Sequence, residues 1–257
     1  GNEQSLSVMT AERAFDFYLR LRNPNSMVIG VAGPIDPDGI EKLLNKNLGK
    51  MAAPLEPAEP RMGGHLLPAD SRTYFMDREQ AVVMVGFPAV AIQHQDRYPL
   101  EVLNAVLSGS AGKLYQFIRG EHGLSYVVGS SLSLGIVPGH FLTYAATAPN
   151  ESQKVKKLLS ELLTDIAESG CSAEELELAK AQLSGHHLHA LETKSSRLSL
   201  LVSEELLGSG WETVFEYPTN IDAIDQAVVQ RVFNQYLLPA DQHILLTGNS
   251  EATGQNG

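Results

Sequence analysis

The stretch from Leu107 to Gly129 reads LSGSAGKLYQFIRGEHGLSYVVG. A loop of small residues leads into an apolar-patterned segment that ends at Arg119, and a second glycine-bearing turn then leads into a strand that contains Tyr126. Arginine offers a fixed fork of donors and tyrosine a hydroxyl on a rigid ring, so this pair can grip a carbonyl or a carboxylate. The residues alone also allow a plain surface arginine beside a half-buried strand tyrosine.

Composition limits the classes of partner. The chain has 257 residues, of which 43% are hydrophobic and 19% are charged, and its formal net charge is -11. This is an ordinary globular composition, long enough for one large or two small domains. We expect no nucleic acid partner, because binding nucleic acid needs a basic surface.

The single cysteine and the apolar runs exclude further classes. Cys171 has no partner for an intrachain disulfide and cannot build a cysteine-based zinc cluster. We expect no membrane span, because the longest apolar run, residues 81–92, is broken by Gly86 and Pro88 and a spanning helix needs about 20 residues. The compartment stays open between the bacterial periplasm and cytoplasm. Because the chain opens without a methionine, we expect an excised piece of a longer protein.

Helix and strand patterns divide the chain around a linker. Before the linker, the patterns predict a helix at 11–21 capped by Thr10, a buried strand at 27–32 and a helix from Asp36 to Leu48. Residues 51–70 are rich in proline and glycine, which is typical of a linker. After it, the patterns predict strands at 71–76, 81–87, 124–134, 140–147 and 243–247, with helices between them.

The beginning and the end of the chain repeat one pattern. A helix cap, a proline stop and a closing glycine recur at a constant offset of 215 residues, as Thr10 and Asp225, Pro24 and Pro239, and Gly33 and Gly248. A recurrence at fixed period indicates duplicated units. We therefore predict that residues 1–50 are a remnant of a preceding homologous domain (helix–strand–helix), 51–70 a linker, 71–250 a C-terminal domain and 251–257 a loose tail.

Other chemical motifs are incomplete. The loop at 108–112 lacks the glycine and the hydroxyl residue that a phosphate-binding loop needs, since Leu107 and Leu114 stand in those places. His186 and His189 are spaced for one helix face with Glu192, but a polar helix face explains them better than a metal site. We therefore predict no metal ligands in this chain.

The Leu107–Gly129 stretch closely resembles the second domain of the pitrilysin/insulinase family of zinc metallopeptidases, which includes the mitochondrial processing peptidases. The shared pattern is a small-residue loop, Leu-Tyr, an arginine and then Gly-Leu-Ala-Tyr, with Ser125 here in place of the alanine. Further signposts extend the resemblance along almost the whole chain, including the Asn-Pro-Asn-Ser-Met run at 23–27 and Tyr-Leu-Leu-Pro at 236–239.

The resemblance implies an α+β fold, with helices packed on a mixed or antiparallel sheet, and two such domains that clamp a peptide. It implies that Tyr126 supports the developing oxyanion at the scissile carbonyl and that Arg119 anchors the substrate or that tyrosine, both as catalytic residues. It also implies a set of substrate-binding residues: Ser108, Gly109, Ser110, Gly112, Gly123 and Leu124.

The main departure from the family is the missing zinc motif, because no His-x-x-Glu-His occurs in the chain. We expect no cofactor in this chain, zinc in the complete enzyme or in a partner, and no activity of the chain alone. The expected function is the non-metal portion of a two-domain zinc endopeptidase that acts on a peptide or unfolded polypeptide, beside a zinc-bearing homologous domain or subunit. A non-enzymatic binding or assembly subunit is the alternative, and homo-oligomer formation stays open.

Overall fold

The computed structural model describes residues 2–52 and 69–253. The chain divides into two compact units. The first contains residues 2–52 together with 191–214, and the second contains 69–190 together with 215–253. Residues 191–214 therefore group with the beginning of the chain rather than with the domain predicted at 71–250.

The helices and strands have the following bounds. The helices are α1 (Glu3–Ser7), α2 (Ala11–Leu21), α3 (Pro37–Leu48), α4 (Arg97–Leu107), α5 (Ser152–Ser169), α6 (Ala173–Ala190), α7 (Lys194–Leu206), α8 (Thr213–Asp222), α9 (Gln226–Tyr236) and α10 (Ser250–Thr253). A π-helix spans Tyr115–Glu121, and short 3-10 turns span Pro24–Ser26, Pro149–Glu151 and Pro239–Asp241. The strands are β1 (Asp70–Phe75), β2 (Ala81–Pro88), β3 (Val127–Ser133), β4 (His140–Thr147) and β5 (His243–Gly248).

The second unit is built on a five-stranded sheet in the order β1-β5-β2-β4-β3. The β1–β5 pair is parallel and the other pairs are antiparallel, so the sheet is mixed. The predicted fold class, α+β with helices packed on a mixed sheet, is confirmed.

The core of this unit lies on one face of the sheet. Along β2 and β4 every second side chain is buried, as expected for strands with one covered face. Helices α4, α5 and α9 supply the opposing apolar side chains, and burial of each large one contributes about 1.5–3 kcal/mol. Fully buried members of this core include Val83, Val85, Leu100, Leu103, Phe141, Leu159 and Phe233.

The repeat found in the sequence recurs in the backbone. Helices α2 and α9 are separated by 215 residues at both ends, and so are the turns at Pro24–Ser26 and Pro239–Asp241. The caps also match, because the Thr10 side chain accepts from the third amide of α2 and Asp225 from the third amide of α9. Helix α6 begins with a capping box, in which Ser172 and Glu175 are bonded reciprocally.

The strand predicted at residues 27–32 does not form, and its apolar side chains Met27, Ile29 and Val31 are exposed. The equivalent segment, β5, is held between β1 and β2. Within the described range of the first unit no strand is present to pair with residues 27–32. A strand is defined by its ladder, so the pattern alone cannot produce one. The segment instead packs on α7, where a side chain at Gly30 would collide with Leu198 and Val202.

The predicted loose tail is wrong for its first residues. Helix α10 is capped by Asn249, whose Oδ1 accepts from the amides of Glu251 and Ala252 at 3.1 and 3.3 Å. The Ser152 hydroxyl donates to the Ala252 carbonyl, and Ala252 is only 1% exposed. Residues 254–257 and most of the predicted linker, 53–68, lie outside the described residues.

A buried carboxylate joins the start of α4 to α9. Asp96 is 1% exposed and accepts hydrogen bonds from the guanidinium of Arg231 and, at 2.6 Å, from the hydroxyl of Tyr236. Hydrogen bonding by Arg231 lowers the pKa of Asp96 more than burial raises it, and Tyr236 adds to the lowering. The ionised carboxylate is therefore the form that stabilises the fold.

We predict that Asp96→Asn lowers the free energy of unfolding at neutral pH by about 1–3 kcal/mol, because it leaves the donors of Arg231 and Tyr236 poorly paired. The wild-type protein should keep this contribution above the unfolded carboxyl pKa of about 3.9 and lose it as the pH falls through the lower folded pKa. Urea unfolding at pH 7 and at acidic pH measures both effects. Asp165→Asn on the exposed face of α5 is the matched control, and an equal loss at every pH would contradict the assignment.

Candidate functional site

The π-helix at Tyr115–Glu121 places Arg119 on the surface. Its wider turn is closed by the His122 amide, which donates to the Phe117 carbonyl five residues back at 3.3 Å. Leu114 and Ile118 are fully buried and anchor the inner side of this segment. Gly123 then lets the chain turn towards β3. Its φ of +65° is a backbone conformation that other residues rarely adopt.

Tyr126 has a backbone held by neighbouring hydrogen bonds and an exposed side chain. The hydroxyl of the buried Ser125 lies 2.7 Å from the carbonyl oxygens of both Val127 and Ala146, and Thr147 donates to the Leu124 carbonyl at 2.6 Å. These contacts fix the segment on both sides of Tyr126, whose side chain is 83% exposed. Ser125, which departs from the alanine of the family pattern, thus adds a tether to β4.

The structure brings Arg119 and Tyr126 together. The guanidinium carbon of Arg119 lies 5.2 Å from the ring centroid of Tyr126 and 4.9 Å from that of Tyr115. Both distances are in the range of cation–π contacts. Sequence reasoning did not single out Tyr115, although its spacing of four residues before Arg119 is a signal for contact on a helix.

The polar ends of this pair are available to a ligand. Within residues 2–52 and 69–253, no carboxylate lies at ion-pair distance from Arg119, and neither its guanidinium nor the Tyr126 hydroxyl has a protein hydrogen-bond partner. A half-buried arginine fork without a protein partner, beside an exposed tyrosine hydroxyl, can bind a carbonyl or carboxylate oxygen.

The small-residue loop at 108–112 is tied to the sheet and to the π-helix. The Ser108 hydroxyl accepts from the Ser130 amide at 3.2 Å and donates to the Ser130 carbonyl at 3.0 Å. The Ser110 carbonyl accepts from the Gln116 side chain at 2.8 Å. Gly109 is exposed with a φ of +82°, whereas Gly112 is buried against the loop backbone. Of the predicted substrate-binding residues, Ser108, Gly112 and Leu124 are thus packed into the fold, and Gly109, Ser110 and Gly123 are exposed.

The histidine-rich segment does not form a metal centre. His186, His187 and His189 lie on α6, and His187 stacks on Tyr217 at a centroid distance of 4.4 Å. In the part of the chain that the structure describes, no group of three or more His, Cys, Asp or Glu side chains is placed to hold a metal ion. These residues therefore do not fit a catalytic zinc.

None of the described helices has the length and apolar character needed to cross a membrane.

Comparison with known protein families identifies the family of this chain. The family model described as peptidase M16 inactive domain matches residues 9–183. The chain belongs to the M16 peptidase family. The match is to the inactive domain of that family, in agreement with the missing zinc motif and with the resemblance found in the sequence.

Relatives in bacteria carry the name of zinc proteases. An uncharacterized zinc protease of Mycobacterium tuberculosis is 33% identical over 210 residues, which cover 80% of this chain and 48% of the relative. The uncharacterized zinc protease YmxG of Bacillus subtilis is 29% identical over 229 residues, which cover 88% of this chain and 54% of YmxG. The chain thus spans about half the length of the curated relatives it matches.

Solved structures share the fold. The M16 inactive domain from Pseudomonas fluorescens matches with a TM-score of 0.86 and 18% identity, covering 97% of this chain and 60% of that one. A protease from Helicobacter pylori matches with the same TM-score and identity, and the match covers 96% of this chain and 61% of the Helicobacter chain.

We predict that this M16 domain retains no stoichiometric zinc. After incubation with equimolar zinc and dialysis, elemental analysis should give less than about one zinc per ten chains, because a stable site needs three or four convergent ligands. His189→Ala should leave this value unchanged. Retention of one zinc per chain that His189→Ala removes would overturn the metal assignment.

Proposed function

We propose that this chain supplies the substrate-anchoring side of a zinc endopeptidase active site, with the metal held by a preceding homologous domain or by a partner subunit. The observation that carries the proposal is the contact of the Arg119 guanidinium with the exposed Tyr126 ring, in which neither polar end has a protein hydrogen-bond partner among the described residues. Membership in the M16 family and the zinc-protease names of the relatives support the same assignment.

In this proposal the two side chains have different roles. The Tyr126 hydroxyl donates to the scissile carbonyl and stabilises the negative charge that develops on its oxygen. Arg119 binds a carbonyl or carboxylate of the same peptide and holds it in register. The exposed residues Gly109, Ser110 and Gly123 line the path of the peptide, and Ser108, Gly112 and Leu124 shape that path from within the fold.

We further propose that residues 1–50 are the end of the preceding homologous domain and that 51–70 are the linker to the second domain, 71–250. Residues 191–214 belong to this second domain in sequence, although they group with the first unit. The matched bounds of α2 and α9 support this. In α9, Val232 and Phe233 are fully buried, whereas their equivalents Phe17 and Tyr18 are 52% and 53% exposed. A helix that exposes this face lacks the sheet on which its counterpart packs.

We predict that Tyr126→Phe in the complete protein lowers peptide turnover at least about tenfold, because loss of one oxyanion donor typically costs on the order of 10²–10³ in rate. Zinc content should stay unchanged, since Tyr126 is not a ligand. Turnover of a fluorogenic peptide and elemental analysis measure the two quantities. Tyr74→Phe, at a half-exposed position on β1, is the matched control.

Two results would contradict parts of this proposal. Wild-type turnover in Tyr126→Phe would remove the role assigned to the Tyr126 hydroxyl. An upstream reading frame and neighbouring genes without a His-x-x-Glu-His would favour the alternative, a non-enzymatic binding or assembly subunit, because no metal would be left for the site to serve.

A further inference from the structure

The ring of Tyr115 makes the second contact of the Arg119 guanidinium, at 4.9 Å, and is closer than the ring of Tyr126. We propose that Tyr115 is a positioning residue, which holds Arg119 in its ligand-binding orientation before the ligand arrives. The consequence for catalysis rests on the function proposed above, but the contact itself does not.

Tyr115 is held more firmly by its surroundings than Tyr126. Its neighbours Leu114 and Ile118 are fully buried, and Tyr115 itself is half-buried. The Tyr126 side chain is largely exposed and is therefore a weaker support for a long, flexible arginine. A ligand binds more tightly when the arginine that holds it loses less conformational entropy on binding. An arginine that is already oriented therefore increases the affinity for the ligand.

An aromatic support has an advantage over an ion pair at this position. A carboxylate beside Arg119 would occupy the same N–H donors that a ligand needs. A ring attracts the cation through its face and leaves the donors to the ligand. The absence of an acidic partner for Arg119 among the described residues is consistent with this arrangement.

The contact is tested first on this 257-residue chain by NMR of the Arg119 Nε–H signal, assigned with Arg119→Lys. Ring currents should shift the wild-type signal upfield. We expect Tyr115→Leu to move it downfield, Tyr115→Phe to keep it in place, and the control Tyr74→Leu to leave it unchanged. Tyr115→Met replaces Tyr115→Leu if the latter unfolds. An unmoved signal in both non-aromatic variants overturns the proposal.

The role is tested next by a double-mutant cycle in the complete protein. Tyr115→Leu should lower kcat/KM about threefold to tenfold, the range of a cation–π contact, and Tyr115→Phe should restore it. In an Arg119→Leu background, Tyr115→Leu should cause no further loss, because it acts through Arg119. An equal loss in both backgrounds overturns the positioning role.

Failure of the proposed function gives a different pattern. If the wild-type protein cleaves no peptide, the peptidase assignment fails, and the same cycle is measured as unfolding midpoints in urea. Coupling between Tyr115→Leu and Arg119→Leu, together with the NMR shift, then supports the positioning role. Additive midpoint shifts overturn it.

Discussion

Tyr126 depends on the antiparallel pairing of β3 with β4, since two side chains join β4 to the segment around it. Ser125 reaches the Ala146 carbonyl and Thr147 binds the Leu124 carbonyl, while Ser108 binds the main chain of Ser130 at the open edge of β3. The sheet is in turn held by the helices on its covered face. The surface around Arg119 and Tyr126 is therefore a consequence of ordinary core packing, which positions these groups without enclosing them.

The local part of this structure is readable from the sequence. Caps such as Thr10 and Asp225, the stop at Pro239 and the apolar run of β2 act over a few residues, and the structure has each of them. The Arg119–Tyr126 pairing also follows from short spacing and from a family motif.

The features that sequence reasoning missed depend on distant partners. Residues 27–32 have the pattern of a strand but lack a neighbouring strand among the described residues, and Ala252 is held by Ser152 from 100 residues away. Tyr115 is an exception, because it stands only four residues before Arg119 and its spacing signals a contact that sequence reasoning did not use. Residues 191–214 group with the first unit, in which Gly30 lies against Leu198 and Val202. These long-range contacts leave no periodic signal in the sequence.

The Ser108 hydroxyl also affects the open edge of the sheet, which is formed by β3. β3 is an edge strand, and the amide and carbonyl of Ser130 are both used by Ser108 rather than by another strand. An added strand would have to break this bond at the middle of β3. The edge is thus blunted against pairing with further chains, which limits edge-to-edge aggregation.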